Sequence, residues 1–206
     1  PEMFYVKSVI GDQPWLRKDS VLVSAGVAWR NPGEGFTLPP PEAETLFVDS
    51  GGFQAAVHFR DEYPYTPTEL FEWADSIDAD YVAGMDWACE TATELAKDYD
   101  GVSPSDIAPL EERIDRTIQD QRRQLKAYEQ GEWDFELVPV VQGYTIAQYR
   151  QCARRLRVHN LARKYMGIGT VCKRDSPTKI LEVLDACEDE LPITEFHLFG
   201  ATKRIW

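Results

Sequence analysis

Six short runs of apolar, β-branched or aromatic residues recur along the chain, each ending in glycine or in small and polar residues. They are VLVSAG (21–26), LFVDSGG (46–52), YVAGMD (81–86), LVPVVQG (137–143), YMGIGT (165–170) and FHLFGA (196–201). Runs of this length and composition predict buried strands. Helical patterns lie between them. Thr66 with Pro67 after it predicts the start of a helix over about 67–78, and Ser176 with Pro177 one over about 177–189. Residues 105–130 carry Ile107, Leu110, Ile114, Ile118, Leu125 and Tyr128 at largely helical spacing, with Gly131 as the stop, and residues 146–163 predict another helix.

Strand and helix alternating in this order imply parallel strands joined by right-handed crossovers, hence an α/β fold. A doubly wound sheet and a (β/α)8 barrel both fit. The unusual residues Asp49, Asp86, Gln142, Gly169 and Phe199 fall at the C-terminal ends of five different strands, the arrangement by which barrel enzymes gather their groups around one mouth. The barrel is therefore the preferred reading. Eight strands and about 250 residues are usual for it, whereas about six βα units are visible here. Residues 1–206 thus read as one domain whose C-terminal part is missing, and a first residue of Pro1 rather than Met also reads as a fragment. The Pro-rich stretch 31–45 and residues 98–109 read as loops rather than domain linkers.

Composition narrows the class. With 206 residues, 43% of them apolar and 12% aromatic, the chain can fill a single core. There is neither a long apolar run nor a signal-like start, so a cytoplasmic protein is expected, in the host cytoplasm if viral. Cys89, Cys152, Cys172 and Cys187 are widely spaced without a CxxC pair, which predicts buried thiols rather than a zinc site or a disulfide framework. A net charge of -13 argues against a generally basic nucleic-acid surface, so any phosphate contact must be local. The excess of acids suits a protein solvated in high salt and equally an ordinary acidic one.

Glycines directly after a strand let backbone N–H groups approach a ligand, while the strand end holds a carboxylate rigidly. DSGGF thus reads as a site for a flat polar ligand, or else as a tight turn with Asp49 as a helix cap. GMDWACE places a second acid, Asp86, after the next strand, with Cys89 and Glu90 following. Two carboxylates facing one cavity can divide acid and acceptor roles because repulsion and burial separate their pKa values; a solvated cap is the alternative for Asp86. Gln142 offers both a donor and an acceptor, which suits reading a nucleobase edge.

In order and approximate spacing, VDSGGFQ, MDWACE, VPVVQG, GIGTVC and FHLFG resemble the tRNA-guanine transglycosylase superfamily, whose barrel exchanges guanine for a 7-deazaguanine. HFRDEYPYTPTELFEWA and GIGTVCKR look more like its DNA-modifying branch, the 7-deazaguanine DNA transglycosylases of phages, archaeal viruses and some bacterial islands. The resemblance implies that Asp49 is the acid/base group and that Ser50, Gly51 and Gly52 shape its pocket. It implies that Asp86 accepts from N1–H and the exocyclic amine of guanine, and that Gln142 and Gly143 contact the O6 side. By the same resemblance Gly169, or Gly167, would let the backbone approach and Phe53 and Phe199 would sandwich the base, core packing being the alternative for both rings; Phe199 stands where the family often has Met. An aspartate nucleophile would follow the next strand, the seventh in this count, beyond Trp206. No cofactor is implied within these residues, a family-type zinc site falling beyond Trp206 as well. Implied partners are DNA, with tRNA the alternative, a preQ0-like base, and a homodimer or the proteins of a DNA-modification system, with no membrane. A non-catalytic subunit of the same fold is the third reading.

Spacing adds a separate expectation. Lys173 with Arg174 and Lys203 with Arg204 follow the last two strands, where they predict a track for a phosphate backbone. The denser basic run of 150–164 reads as a solvated helix face paired with acids; His58 and His159 have no evident site, and His197, two residues before Phe199, reads as a packed histidine or else as one pointing into the same mouth.

Overall fold

The computed structural model describes residues 5–7, 20–37, 43–59, 62–97, 100–174, 176–192 and 195–200. Its strands are β1 (Tyr5–Lys7), β2 (Ser20–Ser24), β3 (Thr45–Asp49), β4 (Tyr81–Ala83), β5 (Glu136–Val138), β6 (Val140–Val141), β7 (Tyr165–Ile168) and β8 (Glu195–Leu198). Its helices are α1 (Ala25–Ala28), α2 (Gly52–Val57), α3 (Pro67–Ser76), α4 (Ala92–Lys97), α5 (Leu110–Gln130), α6 (Ile146–Val158) and α7 (Pro177–Glu188). All strand pairings are parallel, in two sheets ordered β1-β2-β3-β4-β5 and β6-β7-β8.

The two sheets meet at one run of chain. Pro139 has no N–H to give the ladder, so the run 136–141 is divided there. On either side of the break Gly84 N–H donates to Val138 O and Gly167 N–H to Pro139 O, both at 2.8 Å. Counted through this break, the strands follow one another in chain order, as crossover connections require.

The sheet curls strongly. In a flat sheet β3 and β8 would stand four spacings apart, roughly 19 Å, yet the Phe47 and His197 ring centroids are 4.6 Å apart. The pleat sorts the side chains by alternation. Val21, Val23, Leu46, Val48, Val82 and Leu137 pack outward in one cluster with Leu70, Phe71 and Trp73 of α3. Leu22, Phe47, Ala83, Val138 and Val140 meet on the concave face, joined by Tyr81, Tyr165 and Phe199. Among the described residues the edge strands β1 and β8 do not pair with each other. The observed class is therefore α/β with parallel sheets and a curved sheet face, and among the described residues the sheets are not closed.

The helices start where their caps place them. Thr66 and Glu69 form a capping box at α3, Thr145 and Gln148 another at α6, and Ser176 accepts from Lys179 N–H at α7. Two helices are shorter than their periodicity predicts. Pro109 fixes the start of α5 at Leu110, leaving Pro104–Asp106 as a 3-10 turn, and Asn160, at φ 57°, ends the run after α6. The basic run is indeed a paired face, with Arg150, Arg154 and Arg157 on Asp189 and Glu190, and Arg155 on Asp115.

Helix α5 does more than bury its apolar stripe. Arg113, Thr117, Gln121 and Gln124 are all buried on its inner side. Gln121 brackets Val140, donating to its carbonyl and accepting from its N–H at 2.8 Å each. Gln124 accepts from Met85 N–H at 2.7 Å and donates to Ala83 O at 3.0 Å, while Thr117 accepts from Trp87 N–H at 3.0 Å. These side chains pair backbone groups that leave the ladder where β4 ends and β5 breaks, groups that would be costly if buried unpaired.

Candidate functional site

Asp49 is the last residue of β3, two beyond Phe47 and so on the same concave face; the register sets it beside Ser24 of β2. It accepts from Gly51 N–H at 3.3 Å. Burial pushes its carboxyl above the usual range, against hydrogen bonds from Ser24 and the Gly51 and Ser50 backbone. The two glycines after it answer to close packing. Gly51 stands at φ 81°, and a Cβ there would lie 2.5 Å from Gly26 N and 2.6 Å from the Tyr65 hydroxyl; a Cβ on Gly52 would strike the Asp86 carbonyl.

Asp86 lies three residues past β4 in a segment, 84–89, that belongs to no strand or helix. The segment is fixed by side chains instead: Gln124, Thr117 and Arg113 from α5, Thr170 Oγ1, which accepts from Cys89 N–H at 2.9 Å, and Tyr63, whose hydroxyl donates to Asp86 O at 2.6 Å. The carboxyl itself is buried. Ser50 Oγ donates to Oδ1 at 2.9 Å, and Gln142 Nε2 donates to Oδ2. Burial first and the neighbouring Asp49 charge second raise its pKa to about 7, opposed by the bonds from Gln142 and Ser50.

That shift has a sign that can be tested. A carboxyl whose folded pKa lies above its unfolded value of 3.8 favours folding most below that value, and the contribution is lost as pH rises toward about 7. Asp86→Asn is therefore expected to gain stability relative to the native protein as pH is raised through 4–7, by on the order of a few kcal/mol at pH 8. Chemical denaturation of both proteins at pH 4.5 and 8 measures it; a difference independent of pH would refute the assignment.

Gln142 follows β6, and its amide is bonded at both ends, Nε2 to Asp86 and Oε1 accepting from Thr170 Oγ1 at 2.8 Å. A Cβ on Gly169 would collide with that amide, whereas one on Gly167 would meet the Phe199 ring at 2.7 Å. Of the two glycines, Gly169 is the one at Gln142. Gly143 packs under the first turn of α6, a Cβ there lying 2.7 Å from Tyr149 N.

Asp49, Ser50, Gly51, Gly52, Asp86, Gln142 and Gly169 thus form one constellation. Phe199 lies on the concave face, edge-on to Phe47 at 5.8 Å and to His197 at 4.5 Å, and Phe53 packs against the cluster of Trp87, Ala88 and Leu95. Burial lowers the His197 pKa to about 4, which keeps it a neutral, packed ring. Of the basic residues, Arg174 is folded back: Nη2 donates to Tyr144 O at 2.5 Å, and the guanidinium lies 5.5 Å from the Tyr149 ring centroid. Lys173 ends a 3-10 turn, while Lys203 and Arg204 lie outside the described residues. Cys89, Cys152 and Cys187 are buried free thiols and Cys172 is half-buried.

Several site residues escape sequence reasoning. Tyr65 donates to Ser50 O at 2.6 Å, so that with Tyr63 it clamps the backbone at both acids. Their signal was the aromatic and proline alternation of EYPYTP. Thr170 stands next to Gly169, and Arg113 hides in an apolar stripe.

Among the described residues no three His, Cys, Asp or Glu side chains converge as metal ligands, so these residues do not fit a zinc site, and no helix is long and apolar enough to cross a membrane. No curated protein matches the chain. The family described as DeoxyPurine in DNA protein A (DpdA) matches residues 3–204, nearly the whole of it. The chain belongs to the DpdA family.

Proposed function

We propose that this protein is a base-exchange transglycosylase that replaces guanine in DNA with a 7-deazaguanine of the preQ0 type. One observation carries the reading: two carboxyls at adjacent strand exits, both with raised pKa, bridged by Ser50 and held beside a fixed amide. Guanine offers two neighbouring donors and one acceptor along one edge. Asp86, when ionised, accepts from N1–H and the exocyclic amine, and Gln142 Nε2 donates to O6. The family description, which names deoxypurine in DNA, supports DNA over RNA.

Asp49 then moves the proton. As the C1′–N9 bond breaks, it protonates the departing guanine; as the incoming 7-deazaguanine attacks C1′, the carboxylate takes the N9 proton back. Exchange with retention also needs a carboxylate to hold C1′ between the two steps. The resemblance to the transglycosylases assigns that role to an aspartate after the strand that follows β8 in their order. Phe53 and Phe199 are assigned to stacking on the base; of the basic residues assigned to the phosphate backbone, Arg174 would first have to leave Tyr144 O and the Tyr149 ring.

The test is exchange of labelled guanine by the purified full-length protein, with plasmid DNA and bulk tRNA in parallel. Label in DNA is the expected result. Label in tRNA alone would reject DNA as the substrate, and label in neither would reject an exchange enzyme in favour of a binding subunit.

A further inference from the structure

We infer that Thr170 sets the orientation of the Gln142 amide and thereby determines which purine the site accepts. The inference rests on the function proposed above and assigns a positioning residue to it.

Thr170 is buried, 6% exposed, in a left-handed conformation at φ 57°, ψ 12°, which a β-branched residue seldom adopts. That backbone turns its hydroxyl back toward the strand exits. The oxygen accepts from Cys89 N–H at 2.9 Å and donates its single proton to Gln142 Oε1 at 2.8 Å. The competing acceptor, Glu90 Oε2, is at 3.5 Å, beyond good hydrogen-bond length.

The consequence passes to the far end of the amide. With Oε1 taken by a donor, Nε2 faces Asp86 and gives it one proton, leaving the second for a ligand. A second Nε2 proton suits a carbonyl at C6, as in guanine and 7-deazaguanines. An amino group at C6 would set donor against donor. A flipped amide would reverse this preference, and in the native site it would oppose Oε1 to the Asp86 carboxylate. The raised Asp86 pKa weakens that second restraint near neutrality, so the Thr170 proton is the one that keeps the amide from turning.

Thr170→Gly removes the hydroxyl while easing the left-handed backbone, Thr170→Ser keeps the hydroxyl, and Thr170→Val removes it at constant shape should the glycine variant unfold. Two readouts are taken: solvent exchange of the Gln142 side-chain amide protons by NMR, and the ratio of guanine to 2,6-diaminopurine incorporated into DNA. The glycine variant is expected to exchange those protons faster and to lose about tenfold or more of its guanine preference, with the serine variant close to native. Unchanged protection and unchanged preference in a folded Thr170→Gly or Thr170→Val would overturn the inference alone. A native protein that incorporates no guanine would instead overturn the proposed function, and the specificity role with it.

Discussion

Asp49→Asn is expected to lower base exchange by about 10²–10⁴-fold while leaving the fold intact or slightly more stable. The substitution keeps the shape and still offers an oxygen to Gly51 N–H, the 3.3 Å bond that orients the native carboxyl. What it removes is the proton. Burial holds the Asp49 carboxyl above its ordinary range, which favours the proton-donating form that an amide cannot supply. The stability sign follows from the same shift. A raised folded pKa means that ionising Asp49 opposes folding as pH rises, so the neutral amide relieves a cost that grows with pH. The pairing of lost exchange with an unchanged or higher melting point is the mark of a functional carboxylate held against its folding preference. Labelled-guanine exchange and thermal melting of the two proteins at pH 8 test it. A variant that retains near-native exchange would remove Asp49 from the acid/base role; one that melts well below native would make the carboxyl a structural cap.

Much of this site can be read in the sequence because its parts are local. Asp49 with Gly51 and Gly52, Asp86 after Gly84, and Gln142 before Gly143 are each an unusual residue at a strand exit, and strand exits are marked by the end of an apolar run. Helices α3 and α7 are legible for the same reason, from Thr66–Pro67 and Ser176–Pro177, whereas the Thr145 cap of α6 carries no proline to mark it. What stayed hidden is non-local. The three-residue β1 carries too little pattern to stand out, which is why the apolar runs number one fewer than the strands counted through the Pro139 break. The helical periodicity of 105–130 lies in its apolar residues and gives no sign of Arg113, Thr117, Gln121 and Gln124, which bond backbone groups of other segments. Thr170 adjoins Gly169, and nothing in the sequence marks its left-handed φ of 57°.

The hidden part matters for how Asp86 is held, and Arg113→Met is expected to show it. Arg113 is 1% exposed; Nε donates to Ala108 O at 3.0 Å, Nη2 to Glu90 O at 2.7 Å and Nη1 to Ala88 O. Methionine fills a similar volume and leaves three buried carbonyls without that donor. Each such orphan costs about 1–3 kcal/mol, offset in part because a charged group no longer has to be buried. A net loss of about 2–4 kcal/mol follows, which for a chain of this size lowers the melting point by roughly 4–16 °C. The loss is expected to concentrate at the strand 4 exit. Ala88 and Glu90 bracket the turn after Asp86, so their release frees the carboxyl from its place opposite Gln142, and exchange falls beyond what the residual folded fraction explains. Hydrogen exchange resolved by residue separates the two effects: faster exchange confined to amides 85–90 marks a local strut, and uniform acceleration a general core residue. Arg113→Lys, which keeps the charge but reaches fewer carbonyls, should fall between the two. A methionine variant as stable as the native protein would show that the 84–89 segment is held by Gln124, Thr117 and Thr170 without it.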